Sequence, residues 1–513
     1  MKNEFSTIWT RRHGDAETRR LSCRISCFSR VGIILFLSLC LGVSAVNVFT
    51  QTETPPEPSA PKSVTVPAVK EKKLANGLTV AVVERKASPI VTIQLLVKSG
   101  AADEAADKAG LANLTASMLT KGTKNRSATQ IAEDMEFLGG SLDTGAGWNN
   151  SVVTATVTSD KVDQAMAILS DVVLNPAFDQ KELDLLKSQT LDGLTYNLKQ
   201  PGFLANYVAS KYSFDEHPAG GTPASLASIT RDDVVAFHDK FYKSNLAVLI
   251  FTGDISLEKA ASAAEKAFGS WKKSTDNRAT RAKRGGSAAT DQDNDIVKRM
   301  LVIDLPKSGQ SSVNYVKPIY VARSSQYYYP AIVFNSVLGG GYSSRLNLEI
   351  RIKRGLSYGA GSGFAWRQNM TNFSTRTQTK DETAAQVASL VIEELKKLRD
   401  ASVASTELVP RKSVLTGNFG RNLETTNGLA SSISDLYSFD VPTAELNLYT
   451  TSTNAVTDAQ IKNFADANLA GGDMIIVGDY SVFKDDLAKR FPDMKIEVIK
   501  ADALDLSKDS LQK

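Results

Sequence analysis

The sequence has few of the side chains that most often bind zinc. Its 513 residues include three cysteines and three histidines. Cys23, Cys27 and Cys40 all lie close to the N-terminus, so the rest of the chain has no disulfide and no cysteine metal site. Beyond that region only His217 and His238 remain, and they are too far apart in sequence for a short helical two-histidine motif. This scarcity argues against a self-contained zinc hydrolase.

The chain also lacks a strong excess of either charge. It carries 60 Lys and Arg against 56 Asp and Glu, a formal net charge of +4. This near balance gives no electrostatic reason to expect a nucleic-acid partner. With 42% hydrophobic and 23% charged residues, the composition is that of a folded globular protein. The length is enough for about two to four domains.

The N-terminal region has the order of parts found in an export signal. Residues 1–30 are rich in arginine, and an uncharged apolar segment follows, with small residues up to Ala45. The apolar segment is also near the length of a single membrane span. We therefore predict that residues 1–50 are a signal peptide or an uncleaved membrane anchor, followed by a Pro-rich tether over residues 51–64. Both alternatives predict an exported protein, either periplasmic or anchored and facing the periplasm or exterior.

The remaining chain divides at a polar segment. Residues 271–295 are rich in both charge signs and have no apolar periodicity, which predicts an interdomain linker. The linker separates an N-terminal domain, residues 65–270, from a C-terminal domain, residues 296–500. Residues 501–513 are predicted to form a tail.

The two halves end with the same sequence of elements. Thr230 and Thr457 each precede a helical pattern whose third residue, Asp233 or Gln460, completes a capping box. In both halves an apolar run that closes in Gly-Asp follows and reads as a buried strand. The same order at one offset, about 227 residues at the threonines, indicates an internal duplication.

Other signals mix strands with helices. Asn76-Gly77 is the preferred dipeptide of a type I′ hairpin turn. Apolar residues then alternate in two predicted strands, at Leu78, Val80 and Val82 and at Ile93, Leu95 and Val97. Residues 129–135 and 384–398 have helical periodicity. The pattern predicts an α+β fold with two homologous domains, each a mostly antiparallel sheet covered by helices.

Long segments of both halves follow a known pattern. The first half contains KLANGLTVAVVERKASPIVTIQLLVKSGAADE, GLANLTASMLTKGT and HPAGGTPASLASITRDDVVAFHDKFYKSNLAVLIFTGDIS, and the second contains VLGGGYSSRLNLEIRIKRGLSYGAGSG. These segments resemble the two domains of the pitrilysin and mitochondrial-processing-peptidase family of inverted zincins. The resemblance covers about residues 65–500. It implies that the two domains form half of a clamshell chamber.

The zinc motif of that family is replaced in this chain. Catalytic members carry H-x-x-E-H on a helix, where the histidines bind zinc and the glutamate activates water. The aligned positions hold Asn113, Ala116 and Ser117, and the family's third ligand falls near Asp192. Alanine cannot accept a proton, and an amide or a hydroxyl is a poor zinc ligand. The resemblance therefore implies neither a metal cofactor in this chain nor peptidase activity of the chain alone.

The family motif of the second half is kept. In the family, an arginine and a tyrosine seven positions apart reach the zinc site and donate hydrogen bonds to the substrate and its oxyanion. Arg351 and Tyr358 have this spacing. The preceding glycine-rich turn is a candidate substrate-binding segment, although its glycines are equally explained by a tight turn. These glycines are Gly339, Gly340 and Gly341.

The combined pattern predicts the non-catalytic subunit of an exported heterodimeric zinc metallopeptidase. A homologous partner would carry H-x-x-E-H and the zinc, and this chain would contribute Arg351 and Tyr358 to proteolysis of peptides or unfolded segments. The alternative is a structural scaffold or peptide-binding subunit of a membrane-associated complex, with no catalytic role.

An independent hydrolase with a cysteine nucleophile has no support, since no cysteine lies in the folded part. His217 and His238 are predicted to be structural.

Overall fold

The structure is a computed structural model that describes residues 65–275 and 295–513. The predicted signal peptide or anchor, the tether and most of the predicted linker lie outside these residues. Within the two described ranges, none of the helices combines the length and the apolar character needed to span a membrane.

The first half forms a six-stranded sheet. Its strands are β1 (Lys70–Lys73), β2 (Thr79–Glu84), β3 (Ile90–Val97), β4 (Ser141–Ala146), β5 (Ser151–Thr158) and β6 (Ala247–Gly253). They lie in the order β1-β2-β6-β3-β5-β4, and the neighbours are antiparallel except for the parallel pair β2–β6. The helices are α1 (Leu111–Met118), α2 (Ala128–Phe137), α3 (Val162–Leu174), α4 (Gln180–Asn197), α5 (Pro201–Tyr212), α6 (Pro223–Ser228), α7 (Arg231–Phe241) and α8 (Leu257–Phe268).

The second half forms another six-stranded sheet. Its strands are β7 (Val297–Asp304), β8 (Ser311–Ile319), β9 (Ala360–Trp366), β10 (Thr371–Thr379), β11 (Gly472–Gly478) and β12 (Ile496–Lys500). They lie in the order β12-β7-β11-β8-β10-β9, with β12–β7 and β7–β11 parallel and the other pairs antiparallel. The helices are α9 (Tyr328–Leu338), α10 (Ala384–Asp400), α11 (Ser405–Glu424), α12 (Thr426–Ser438), α13 (Glu445–Ala455), α14 (Asp458–Asn468) and α15 (Tyr480–Arg490), and a π-helix spans Asn347–Ile352.

The two sheets repeat one plan. Five strands of the first sheet, β2-β6-β3-β5-β4, match β7-β11-β8-β10-β9 in order and direction. Both predicted capping boxes form, at Thr230 before α7 and at Thr457 before α14. The apolar runs that follow are the fully buried strands β6 and β11. The fold class predicted from the sequence is confirmed, and so is the duplication.

The turn at Asn76-Gly77 differs from the prediction. Gly77 has a positive φ of 88°, but Asn76 does not, so the turn is not type I′. The Gly77 amide donates to Leu74 O at 2.9 Å, and the Leu74 amide donates to Leu78 O at 2.9 Å, a longer loop that ends in a glycine bulge. The Asn76 side chain explains the difference, because its amide donates to Phe268 O at 2.6 Å. The loop joins β1 to β2, and β6 lies between β2 and β3.

Each half contributes a helix to the other half's sheet. Helix α5 of the first half packs through Leu204 and Val208 on the β11 face that carries Ile475. Helix α12 of the second half packs through Leu429 and Ile433 on the β2, β3 and β6 face of the first sheet. Both sheets are thus covered on both faces, which explains why the central strands β6 and β11 are buried at every position.

Polar contacts hold the same interfaces. At one, Ser213, just after α5, donates to Asp473 at 2.6 Å, and Arg299 also binds Asp473 at 2.6 Å. At a second, Arg367 forms a two-point ion pair with Glu216, with distances of 2.7 and 2.6 Å. These contacts join residues more than 150 positions apart in sequence.

The residues after β12 fold back onto the first half. Leu506 and Leu511 are buried in the same apolar cluster as α5, and Asp509 pairs with Lys211 at 3.0 Å. The segment predicted as a tail is therefore part of the packed structure.

We predict that Ile433→Ala destabilises the protein through the shared interface. Ile433 is fully buried on α12 against the first sheet, and truncating such a side chain costs about 2–5 kcal/mol. Chemical unfolding of the full chain measures the effect. The matched control is Leu448→Ala on the neighbouring α13, where the side chain is 52% exposed and little change is expected. Equal effects for both variants would contradict the role of α12.

Candidate functional site

Helix α1 carries the positions that aligned with the zinc motif. The carboxyl group of Glu104 holds its start, because it accepts from the Gly110 amide at 2.8 Å and the Ala112 amide at 2.6 Å. Asn113 and Ser117 share one half-buried face, one helical turn apart, and Ala116 is fully buried. The helix is therefore held by a side-chain cap and by its own packing, with no need for a metal.

The residues on α1 do not fit a zinc ion. The Asn113 amide donates to Ala219 O at 2.9 Å, so a structural contact occupies it. Asp192 is exposed on α4. In residues 65–275 and 295–513, no group of three or more His, Cys, Asp or Glu is arranged to hold a metal ion. Since Ala116 offers no general base, this helix cannot carry out the chemistry of the motif that it replaces.

The two histidines beyond the N-terminal region lie in packed environments. The His217 ring lies 5.0 Å from the Trp148 ring, and its Nδ1 is 3.6 Å from Glu104 Oε1, too far for a hydrogen bond. His238 Nε2 is 2.8 Å from Val173 O, and its ring stacks on Tyr242. Burial lowers the pKa of both imidazoles, which favours their neutral forms.

Arg351 and Tyr358 lie at the end of the π-helix and in the loop before β9. The guanidinium carbon of Arg351 is 5.2 Å from the centre of the Tyr342 ring, within the range of a cation–π contact. Tyr358 is 93% exposed, although its loop is fixed on both sides. Ser357 Oγ donates to Gly359 O at 2.7 Å, and Thr379 Oγ1 donates to Leu356 O at 2.7 Å. The phenol thus extends into solvent from a loop whose main chain is fixed.

The glycine-rich turn serves the fold at its first position. Gly339 ends α9, and a Cβ there would lie 2.3 Å from the Ser362 amide nitrogen of β9. The main chain of Gly339 also accepts from the Ser362 amide at 3.2 Å. Only glycine permits this approach of helix to strand. Gly340 is exposed and Gly341 half-buried, so their role in substrate binding stays a prediction.

A polar groove of about 630 Å³ contains Tyr358. The loop before β9 forms one wall and strand β10 another, and the start of α5 and strand β8 complete it. Its lining residues are Gly202, Asn206, Gln310, Ser312, Asn314, Gly355, Leu356, Ser357, Tyr358, Gly359, Arg376, Thr377, Gln378, Thr379 and Lys380. Sequence reasoning found only Tyr358 among these. The alternation of threonine with Arg376, Gln378 and Lys380 was the available signal for the β10 wall.

The fold and the altered helix define a two-domain α+β chain of the inverted-zincin type. Residues 79–201 match the family model described as insulinase, peptidase family M16, and residues 228–412 match the model described as peptidase M16 inactive domain. The chain belongs to peptidase family M16, which confirms the resemblance seen in the sequence.

Bacterial relatives support this assignment. An uncharacterized zinc protease of Rickettsia bellii is 30% identical over 56% of this chain and 68% of the relative. An uncharacterized zinc protease of Rickettsia felis is 27% identical over 67% of this chain and 82% of the relative. The non-peptidase homolog YmxG of Helicobacter pylori is 24% identical over 74% of this chain and 85% of that protein.

Solved structures show the same fold. The peptidase M16 inactive domain from Pseudomonas fluorescens has a TM-score of 0.71 and 24% identity, covering 80% of this chain and 98% of that one. A protease from Helicobacter pylori has a TM-score of 0.72 and 18% identity, and the match covers 80% of this chain and 100% of that one.

Glu104 makes stability depend on pH in a defined direction. Burial raises its pKa to about 8, from about 4.5 in the unfolded chain. Between these values the folded protein holds a proton that the unfolded chain has lost, so this group's contribution to stability falls as pH rises from about 4.5 to 8. Glutamine does not titrate, so Glu104→Gln should abolish this pH-dependent decrease in stability. The unfolding free energy of the variant minus that of the parent should therefore increase as the pH rises from about 4.5 to 8. Urea unfolding at several pH values measures it, and a pH-independent difference would contradict the assignment.

Proposed function

We propose that this chain is the non-catalytic subunit of an exported heterodimeric zinc metallopeptidase. A homologous partner carries H-x-x-E-H and the zinc, and this chain closes the other half of a peptide chamber. Arg351 and Tyr358 then reach the partner's site, where they bind the substrate main chain and the oxyanion. The basic and apolar N-terminal segment supports export.

The exposed phenol of Tyr358 carries the proposal. A tyrosine that is 93% exposed contributes little to folding, yet its loop is fixed by hydrogen bonds on both sides. A solvent-facing donor on a fixed loop is suited to a second molecule. The replaced positions on α1 explain why the metal must come from another chain, since the described residues offer no ligand set of their own.

The chemistry of the two side chains fits the role. A guanidinium and a phenol both donate hydrogen bonds, and neither competes for the metal as a carboxylate would. The Tyr342 ring lies within cation–π distance of the Arg351 guanidinium. Donors that are already in place lose little freedom when negative charge develops on the substrate oxygen.

We expect the purified full chain to bind no stoichiometric zinc and to cleave no peptide when it is alone. The reason is the loss of both imidazoles and of the general base on α1. Metal analysis after dialysis against zinc and a peptidase assay provide the measurement. Stoichiometric zinc together with turnover would show that His217, His238 or Asp192 binds metal and would overturn the proposal.

We expect Arg351→Ala and Tyr358→Phe each to lower the kcat of the assembled pair by roughly 10²–10³, the usual cost of losing an oxyanion donor. The partner is the H-x-x-E-H protein that co-purifies with the full chain, and size-exclusion chromatography confirms that the variants still assemble. Matched controls are Arg421→Ala on the exposed side of α11 and Tyr196→Phe on α4, which should leave kcat unchanged. Unchanged turnover in the Arg351 and Tyr358 variants would favour the scaffold alternative.

A further inference from the structure

The groove that contains Tyr358 has a one-sided charge. Arg376 and Lys380 are the two charged side chains among its lining residues, and no carboxylate is present there. Both cations are exposed on β10 or directly after it. The groove also includes Gly202 in the first turn of α5, a helix start without a side-chain cap. The lining residues therefore carry a net positive charge.

The other cations near the Arg351 motif are already paired. Lys353 and Arg354 both bind Glu349, at 2.8 and 3.1 Å, and Arg345 binds Glu407 at 2.8 Å. By contrast, Arg376 and Lys380 make no ion pair with any part of the chain that the structure describes. The carboxylate next in sequence, Asp381, does not neutralise them, because it is buried and accepts from Ser311 Oγ at 2.6 Å.

The side chains of the β10 wall point in one direction. Arg376, Gln378 and Lys380 alternate with buried threonines, so they share one face at intervals of about 7 Å. The Arg376 guanidinium extends over β9, with Nη2 3.7 Å from where a Cβ on Gly363 would lie. Gln378 packs against Gly202 of α5. The spacing matches that of alternate side chains in an extended peptide.

The floor of the groove is polar but neutral. Ser312 Oγ donates to Asn314 Oδ1 at 3.0 Å, Asn314 Nδ2 donates to Asn206 Oδ1 at 3.3 Å, and Asn206 Nδ2 donates to Gly202 O at 2.9 Å. The side-chain amides of Asn314 and Asn206 thus both donate within the protein. The free positive groups are thus on the wall, where they face the space beside Tyr358.

We propose that this groove binds extended peptides with acidic side chains, and that Arg376 and Lys380 are the residues that select them. The inference rests on the proposed function in one respect, namely that a peptide held here lies beside Tyr358. Carboxylates accept charge-assisted hydrogen bonds from guanidinium and ammonium groups, and a groove without acidic residues does not repel them. A peptide with lysine or arginine at the same positions would meet like charge.

The test is a binding measurement on the full chain alone. The probe is a fluorescein-labelled peptide of eight residues that alternates glutamate and serine, with a matched peptide in which glutamine replaces every glutamate. Fluorescence anisotropy at low ionic strength gives both dissociation constants. We expect the glutamate peptide to bind at least about tenfold more tightly, and this preference should decrease with added salt.

Variants locate the effect in the groove. Arg376→Gln and Lys380→Gln should each weaken binding of the glutamate peptide by about fivefold, as expected for partly exposed ion pairs, without changing binding of the glutamine peptide. The control Lys484→Gln removes one exposed charge on α15, away from the groove, and should have no effect. Equal binding of the two peptides, or an equal loss in the control, would overturn the inference.

This outcome is separate from that of the proposed function. If the assembled pair depends on Arg351 and Tyr358 but shows no acidic preference, only the acidic selectivity of the groove is wrong. If the glutamate peptide binds through Arg376 and Lys380 while the Arg351 and Tyr358 variants retain full turnover, the catalytic role is wrong and the groove remains a peptide site.

Discussion

The exchange of helices between the two halves is the interaction on which the rest of the structure depends. Each sheet has one face covered by its own helices and the other covered by a helix from the other half, α5 or α12. Without the exchange, strands such as β6 and β11 would expose apolar side chains on one face. The two halves are therefore held together by packing, since α5 lies against the second sheet and the residues after β12 lie against the first half. The groove beside Tyr358 is built at this interface, since Gly202 and Asn206 come from α5.

Capping and packing also fix helix α1, which carries Asn113, Ala116 and Ser117. In the described structure, α1 is stabilised by Glu104 at its start and by apolar contacts along its buried side. Asn113 adds a hydrogen bond to Ala219 on the half-buried face. A metal is needed for chemistry at this position but not for the position of the helix. The helix therefore keeps its place in the scaffold with Asn113, Ala116 and Ser117 at these positions.

Local rules predicted much of the fold. Both capping boxes, the buried strands β6 and β11 and the duplication depend on residues close together in sequence, and all of them form. The turn at Asn76 was missed because its side chain bonds to Phe268, a contact 192 residues away. The apolar runs indicated buried strands, but nothing local identified α5 and α12 as the helices that cover them. The groove was missed for the same reason, because four separate segments form it.

A comparison of the two copies within the chain shows that two matched strands differ in charge. Strand β10 of the second copy occupies the position of β5 in the first, next to the edge strand. β5 has only serine, threonine, valine and alanine, whereas β10 carries Arg376 and Gln378 on its exposed face. Duplication alone would have given both strands similar side chains. The first copy has no charge on this strand, whereas the second carries Arg376 there and the exposed Tyr358 in the loop before the edge strand. Between these matched strands, the exposed charge is therefore in the second half.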